Sequence, residues 1–264
     1  MSYVSREIHL RQCCCTVCAY FSRNCRVHRT GSLEDEITAR LAKASSAFGR
    51  LRKRLWNDHG IRIDTKLQVY HAVVLTTLLY GSESWTLYKR HIQKLDSFHL
   101  RCLRQILHIK WQDKLPNTSV LEKCNITGIK ALLVRTQFRG CGHVSRMSDD
   151  RIPKRLLYGQ LSGAKRRPGG QRKRYKDQLR VNLQTCDIDP KRWEALAADR
   201  SSWRALFHNA VDNFEEQRTE AIKTKRIARK SGASANLTST SYTCDICGRV
   251  CRSRIGLFSH RKSH

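Results

Sequence analysis

Four residues near one end of the chain have the types and the spacing of metal ligands. Cys244 and Cys247 are separated by two residues, and His260 and His264 are separated by three. Two thiolates on a tight turn and two imidazoles one helical turn apart can complete a tetrahedron around a metal ion. This mixed set of sulfur and nitrogen is typical of zinc, so the spacing predicts that these four residues bind Zn2+.

The segment around these ligands has the pattern of a small ββα zinc finger of C2H2 type, over residues 242–264. Tyr242 and Leu257 stand where such a finger places its small apolar core. So short a segment buries too little surface to fold alone, and metal binding would contribute on the order of 10 kcal/mol to its folding. Cys251 stands where many fingers carry an aromatic residue, and its thiol could compete as a ligand. The alternative is a decayed finger whose ligands lie in an unstructured tail.

The helix of the finger is poorly equipped to read bases. With His260 as position 7 of that helix, positions −1, 3 and 6 are Ser253, Gly256 and Ser259. Serine is a weak reader and glycine has no side chain to read with. The cations around these positions suit phosphates, and they are Arg249, Arg252, Arg254, Arg261 and Lys262. The pattern therefore predicts a sequence-tolerant contact with nucleic acid, or a contact with a protein.

The overall charge points to a polyanionic partner. The 264 residues include 51 Lys and Arg against 22 Asp and Glu, which gives a net charge of +29. This imbalance favours nucleic acid over a membrane surface, and no apolar run approaches the roughly 18 residues that span a bilayer. The chain shows no signal-peptide pattern. Its 12 cysteines are therefore expected to be reduced, in the nucleus or the cytoplasm.

The pattern along the chain predicts a mainly α fold, with a helical domain, a flexible linker and then the single ββα finger. Apolar residues recur at helical spacing over 32–56, 65–80, 89–108, 117–124, 128–147 and from 190 past Phe214. Asp64 is expected to cap the second of these helices. The predicted segments are a helical region at 31–150, basic loops and helices at 151–230, a polar linker at 231–241 and the finger at 242–264.

A cysteine-rich leader at 1–30 precedes these segments, and we expect it to be poorly ordered. The alternative is a second zinc knuckle formed by Cys15, Cys18, Cys25 and His28, whose spacing matches no established pattern.

A basic loop is predicted within residues 151–180, where eleven Lys or Arg face a single acid, Asp177. Within this stretch, one proline and two glycines interrupt the run R-R-P-G-G-Q-R-K-R at 166–174, so this run cannot be a packed element and is predicted to be the flexible loop. The predicted phosphate contacts are Lys165, Arg166, Arg167, Arg172, Lys173 and Arg174, together with Arg252 and Arg254 of the finger. The loop and a second basic run at 223–230 also resemble nuclear import signals, which predicts a nuclear location. The alternative for the loop is a solvated face.

Several long sequence blocks follow one another along the chain. They include T-K-L-Q-V-Y-H-A-V-V-L-T-T-L-L-Y-G-S-E-S-W-T-L-Y (65–88), F-H-L-R-C-L-R-Q-I-L-H-I-K-W-Q-D (98–113) and W-E-A-L-A-A-D-R-S-S-W-R (193–204). In this order they resemble the region downstream of the polymerase core in non-LTR, LINE-type retrotransposon reverse transcriptases, and the resemblance covers residues 31–264. A C-terminal finger beginning C-x-x-C-G-R-V-C-R-S-R is typical of the same proteins. The resemblance implies the C-terminal piece of such a polyprotein.

Members of that family also carry an upstream endonuclease domain and a polymerase palm, whose paired carboxylates hold two divalent ions. The one Asp pair in this chain is Asp149–Asp150, and no apolar strand precedes it. We therefore expect surface acids at a helix end and no enzymatic activity. The alternatives are an RNA-directed DNA polymerase component that acts with the missing upstream domains, and a protein-interaction finger.

Three further groups of residues have both a chemical and a structural interpretation. The helical histidines with Cys102 could ligate a metal, and Cys141 with His143 could form a nucleophile and base. For both groups we favour a structural role. The tryptophans could stack on bases, but their helical spacing favours core positions for Trp85, Trp111, Trp193 and Trp203.

Overall fold

The computed structural model describes residues 33–159, 173–235, 242–251 and 253–264. The described chain is mainly α-helical, as predicted, and it forms two compact units, Met1–Glu216 and Gln217–His264. None of the described helices combines the length and the apolar character needed to cross a membrane.

Ten of the described helices begin in the first unit. They are α1 (Leu33–Arg50), α2 (Ile63–Val69), α3 (Thr76–Leu78), α4 (Lys89–Ile106), α5 (Asn117–Cys124), α6 (Ile129–Ser145), α7 (Ile152–Tyr158), α8 (Tyr175–Thr185), α9 (Trp193–Ala198) and α10 (Arg200–Ala235). Two π-helical segments (Arg52–Trp56 and Tyr70–Leu75) and two 3-10 turns (Ser82–Ser84 and Trp111–Asp113) lie between them.

Most predicted helices differ from the observed ones at their boundaries, but the single helix predicted from 190 past Phe214 is two helices, α9 and α10. The predicted helix at 65–80 is a run of α2, π-helical and α3 segments, and Gly81 ends it with a φ of 77°, a left-handed conformation that favours glycine. The prediction that Asp64 caps this helix is wrong. Arg62 is the N-cap residue, and Asp64 lies in the first turn, where the helix dipole favours an acid. Helix α10 continues to Ala235 and so includes the start of the predicted linker.

The first of two apolar cores lies among α1 to α5 and the beginning of α6. Trp56 stacks on Phe48 with ring centroids 4.9 Å apart, and its indole N–H donates to the Phe48 carbonyl at 2.7 Å. Lys66 is buried here as well, and its Nζ donates to the carbonyls of Trp56 and Asp58. A buried ammonium group needs such acceptors to offset its desolvation.

The second core joins α6 to α8, α9 and the first half of α10. The indole N–H of Trp203, on α10, donates to the Phe138 carbonyl on α6 at 3.0 Å. Gly142 makes this approach possible, because a Cβ atom there would lie 2.3 Å from Trp203 Nε1. Near the other end of α6, the Glu215 carboxylate accepts from the backbone N–H of Gly128 at 2.9 Å. Helix α6 therefore contributes to both cores and links them.

A buried polar pair lies within the first core. His99 on α4 is fully buried, and its Nδ1 is 2.8 Å from the Tyr70 hydroxyl. The pKa of His99 is lowered from 6.5 to about 4, mainly by burial and in smaller part by the nearby His71. The imidazole is therefore neutral in the folded chain at physiological pH.

We expect the first unit to lose stability as the pH falls from about 6.5 to 4, in part through His99. The unfolded chain protonates this histidine near pH 6.5, whereas the folded chain resists until about pH 4. The unfolded state thus binds more protons in this window, and the contribution present above pH 6.5, about 3 kcal/mol, is lost at the lower pH. Urea unfolding followed by tryptophan fluorescence measures it. The His99→Gln variant should show a slope shallower by up to about one proton, and an unchanged slope would refute the assignment.

Candidate metal centre

The two cysteines of the finger lie on a turn between two short antiparallel strands. Strand β1 (Tyr242–Thr243) pairs with β2 (Val250–Cys251), so that Tyr242 lies opposite Cys251. After β1, the backbone N–H of Cys244 donates to the Arg249 carbonyl at 2.9 Å, and that of Gly248 donates to the Cys244 carbonyl at 2.8 Å. Gly248 has a φ of 71°, which a glycine adopts without strain. This turn places both thiols on the same side.

Helix α11 (Arg254–Arg261) carries the first histidine in its last turn. Ser253 is its N-cap residue, and the Ser253 hydroxyl accepts from the Gly256 N–H at 3.0 Å. Because the helix begins at Arg254, His260 is position 7 and Ser259 is position 6. The helix therefore begins where the predicted numbering places it.

The four predicted ligands lie together. Their ligand atoms are all within 4.8 Å of one another. Cys247 Sγ is 3.0 Å from His260 Nε2, and His264 Nε2 is 3.2 Å from the same nitrogen. Ligand atoms of a tetrahedral zinc site are separated by roughly 3.3–3.8 Å, as the Zn–S and Zn–N bond lengths require. These residues can therefore bind a metal ion, and small adjustments of these separations would fit them to zinc.

Local electrostatics favour the thiolate form. The backbone N–H groups of Ile246 and Cys247 lower the pKa of Cys244. Asp245, between the two cysteines, forms an ion pair with Arg261 of α11 and so ties the turn to the helix. Arg261, which the sequence analysis assigned to phosphates, therefore already has a carboxylate partner within the finger. The spacing of the sequence did not predict the ion pair between Asp245 and Arg261.

Cys251 does not belong to the ligand cluster. It is half-buried in β2, and its Cβ lies 3.9 Å from the position that a Cβ at Gly256 would take. Its side chain therefore packs toward α11, in the place of the usual aromatic residue.

The predicted phosphate contacts are only partly described. Lys165, Arg166, Arg167, Arg172 and Arg252 lie outside the described residues, as does the leader at 1–30 with its possible knuckle.

The remaining predicted contacts, Lys173, Arg174 and Arg254, are exposed. The backbone N–H of Lys173 donates to the Tyr88 hydroxyl at 3.2 Å, and its ammonium lies 5.3 Å from the centroid of that ring. Arg174 is the N-cap residue of α8, and Arg254 begins α11.

The other residues considered as metal ligands or nucleophiles are buried or make structural contacts. His91 Nε2 lies 2.8 Å from the Glu34 carboxylate, and burial raises the pKa of Cys102 to about 12. The Cys141 thiol is buried and donates to the Phe138 carbonyl, and burial raises its pKa. A neutral thiol without access to solvent is a poor nucleophile.

Three of the four tryptophans that were predicted at core positions occupy them. Trp85, Trp193 and Trp203 are buried, but Trp111 is 84% exposed, so the core prediction is wrong for this residue. Trp111 lies on a 3-10 turn after α4, where its ring does not complete either core.

The Asp149–Asp150 pair lies in the turn between α6 and α7. Both side chains are exposed, and Asp149 pairs with Lys154 at 2.7 Å. Hydrogen bonding from Ser148 holds the pKa of Asp150 below its ordinary value. These are surface acids near helix ends, as the sequence predicts.

Comparison with known proteins gives one informative similarity. No protein-family model matches the chain, and no solved structure matches it. The chain is similar to an uncharacterised transposon-derived protein of Caenorhabditis elegans. The two are 25% identical over 203 residues, which cover 74% of this chain and 71% of that protein. This similarity supports a transposon-related origin.

Proposed function

We propose that this chain is a zinc-binding, sequence-tolerant nucleic-acid-binding protein, derived from the C-terminal region of a LINE-type retrotransposon reverse transcriptase. One observation carries the proposal: two cysteines and two histidines hold their ligand atoms within 4.8 Å of one another, on a ββα element. That combination of ligands and scaffold is used by fingers that bind nucleic acid.

The ligand set favours a structural zinc ion over a catalytic one. Catalytic zinc sites keep one coordination position for water or substrate, whereas four protein ligands fill the tetrahedron. The exposed Asp149–Asp150 pair offers no rigid strand hairpin for two divalent ions. We therefore propose a binding function and no catalysis by this chain.

Charge favours nucleic acid as the partner. A net charge of +29 exceeds what solubility requires, and the finger presents exposed Arg249, Arg254 and Lys262. The three reading positions carry Ser253, Gly256 and Ser259, so these cations would contact phosphates in any sequence. A nuclear location would follow from such a partner.

A protein-interaction finger is the second candidate function. Two large apolar side chains of α11 are exposed, Ile255 at 82% and Phe258 at 65%. Exposed apolar side chains beside polar ones are frequent at protein contacts.

Competition binding tests sequence tolerance. A labelled 20-base-pair duplex is bound by the full chain in zinc, and unlabelled duplexes of unrelated sequence compete with it. We expect all competitors to have the same affinity within about threefold, because phosphate contacts carry no sequence information. One competitor that binds on the order of 100-fold more tightly would contradict the proposal, since it would require base contacts.

A further inference from the structure

The second half of α10 carries a one-sided basic surface. Residues 217–231 contain six cations, namely Arg218, Lys223, Lys225, Arg226, Arg229 and Lys230. At 3.6 residues per turn, all six lie within an arc of about 160° around the helix. The single acid of this stretch, Glu220, lies outside that arc, on the face that also holds Ala221, Thr224, Ala228 and Ser231. We call the arc the basic face of α10.

Four of the six cations are available to a partner. Lys225, Arg226, Arg229 and Lys230 are all exposed, whereas Arg218 and Lys223 are half-buried and interact with other groups. None of residues 217–231 belongs to either apolar core among the described residues. Burial in an apolar core therefore does not stabilise this part of the helix, and the like charges along one face repel one another. Such a face is stabilised when anions neutralise it.

We propose that the basic face of α10 binds duplex DNA by entering the major groove. This inference rests on the proposed function and specifies duplex DNA as the nucleic acid that is bound. An α-helix with its side chains is about 10–12 Å across, and the major groove of B-form DNA is about 12 Å wide. The four exposed cations spread over about 140°, so they reach the phosphates on both walls of such a groove. The 15 residues extend for about 22 Å, less than one turn of the duplex.

Double-stranded RNA does not fit the same face. The major groove of an A-form helix is deep and narrow, so a helix cannot enter it. Single strands offer no groove with two phosphate walls. The distribution of charge around α10 therefore favours B-form DNA, whereas a solvated face or an import signal requires no particular arrangement of the cations.

Two variants test the inference in the full zinc-loaded chain. The first replaces Lys225, Arg226, Arg229 and Lys230 by glutamine. Its matched control replaces four exposed cations of the first unit by glutamine, namely Arg50, Arg52, Lys53 and Arg54. The second variant, Thr224→Pro, keeps every charge and breaks the helix, with Thr224→Ala as its control. Circular dichroism verifies that the first unit stays folded.

Fluorescence anisotropy with a DNA duplex and an RNA duplex of the same sequence measures the Kd of each variant for each duplex. We expect the quadruple variant to bind DNA on the order of 100-fold more weakly at 0.1 M salt, with a salt slope shallower by about 3 to 4. RNA-duplex binding should change no more than in the control. Thr224→Pro should weaken DNA binding, and Thr224→Ala should leave it unchanged.

Three results would overturn the inference: equal losses in the quadruple variant and its control, equal losses for DNA and RNA duplexes, or unchanged DNA binding by Thr224→Pro. In each case the unsubstituted chain still binds nucleic acid, so the proposed function stands. Failure of the proposed function is a different result, because the unsubstituted chain then binds none of the polymers.

Discussion

Cys247→Ser is expected to unfold the finger and to abolish tight zinc binding, while the first unit stays folded. The ligand cluster would lose one of its two thiolates. In the described part of the finger, Cys244 is the one fully buried residue, so apolar burial cannot replace the metal. Zinc contributes on the order of 10 kcal/mol to the folding of such modules. Titration of the full chain with Co2+, whose tetrahedral thiolate complexes absorb in the visible range, measures the loss.

Cys251→Ser is the matched control for this experiment. Cys251 is half-buried in the adjacent strand and stands outside the ligand cluster. We expect this variant to bind one metal ion with the affinity of the unsubstituted chain. If Cys251→Ser loses the metal and Cys247→Ser keeps it, the ligand assignment is wrong and the nearby thiol is the true ligand.

Gly142→Ala is expected to destabilise the first unit by about 1–3 kcal/mol, as overpacking at a close contact between helices does. A Cβ at this position would lie 2.3 Å from Nε1 and 2.6 Å from Cδ1 of Trp203. The indole is buried and held by its hydrogen bond to Phe138, so it cannot move aside without losing that bond. Chemical denaturation followed by tryptophan fluorescence measures the effect.

Gly49→Ala is expected to have the opposite effect on the stability of the first unit. Gly49 is exposed within α1, and a Cβ there meets no atom within 4 Å. Alanine in a helix is more favourable than glycine by about 0.5–1 kcal/mol, so this variant should be slightly more stable than the unsubstituted chain. Equal effects of the two substitutions would show that α6 and α10 do not pack closely at Gly142.

Much of the secondary structure could be predicted because local signals and tertiary packing agree. The predicted helix at 117–124 is α5 without change, and the apolar positions of 89–108 give α4. The ligand spacing predicted that the four ligands lie together, and the structure confirms this. It also predicted where the helix of the finger begins, because Ser253 supplies an N-cap at the place where such a finger requires one. In these segments, side-chain pattern and backbone geometry indicate the same structure.

Other features depend on contacts that a sequence does not display. The π-helical segment at Tyr70–Leu75 interrupts a pattern that reads as one helix. The ion pair of Asp245 with Arg261 joins residues 16 positions apart in sequence, and neither residue signals the other. Helix α10 includes residues 231–235, which were predicted to belong to a polar linker. It continues there because no proline ends it and because serine and alanine are tolerated in helices.

Binding measured with zinc and with a chelator, across a salt series, tests the central claim most directly. Labelled single-stranded RNA and duplex DNA are titrated with the full chain, and fluorescence anisotropy gives each Kd. We predict a Kd in the micromolar range or tighter at low salt, a log–log slope of about −0.7 to −0.9 for each phosphate neutralised, and weaker binding after chelation. Absence of binding to either polymer at low salt would contradict the account. Binding that is unchanged by chelation would show that the finger does not contribute to the affinity for nucleic acid.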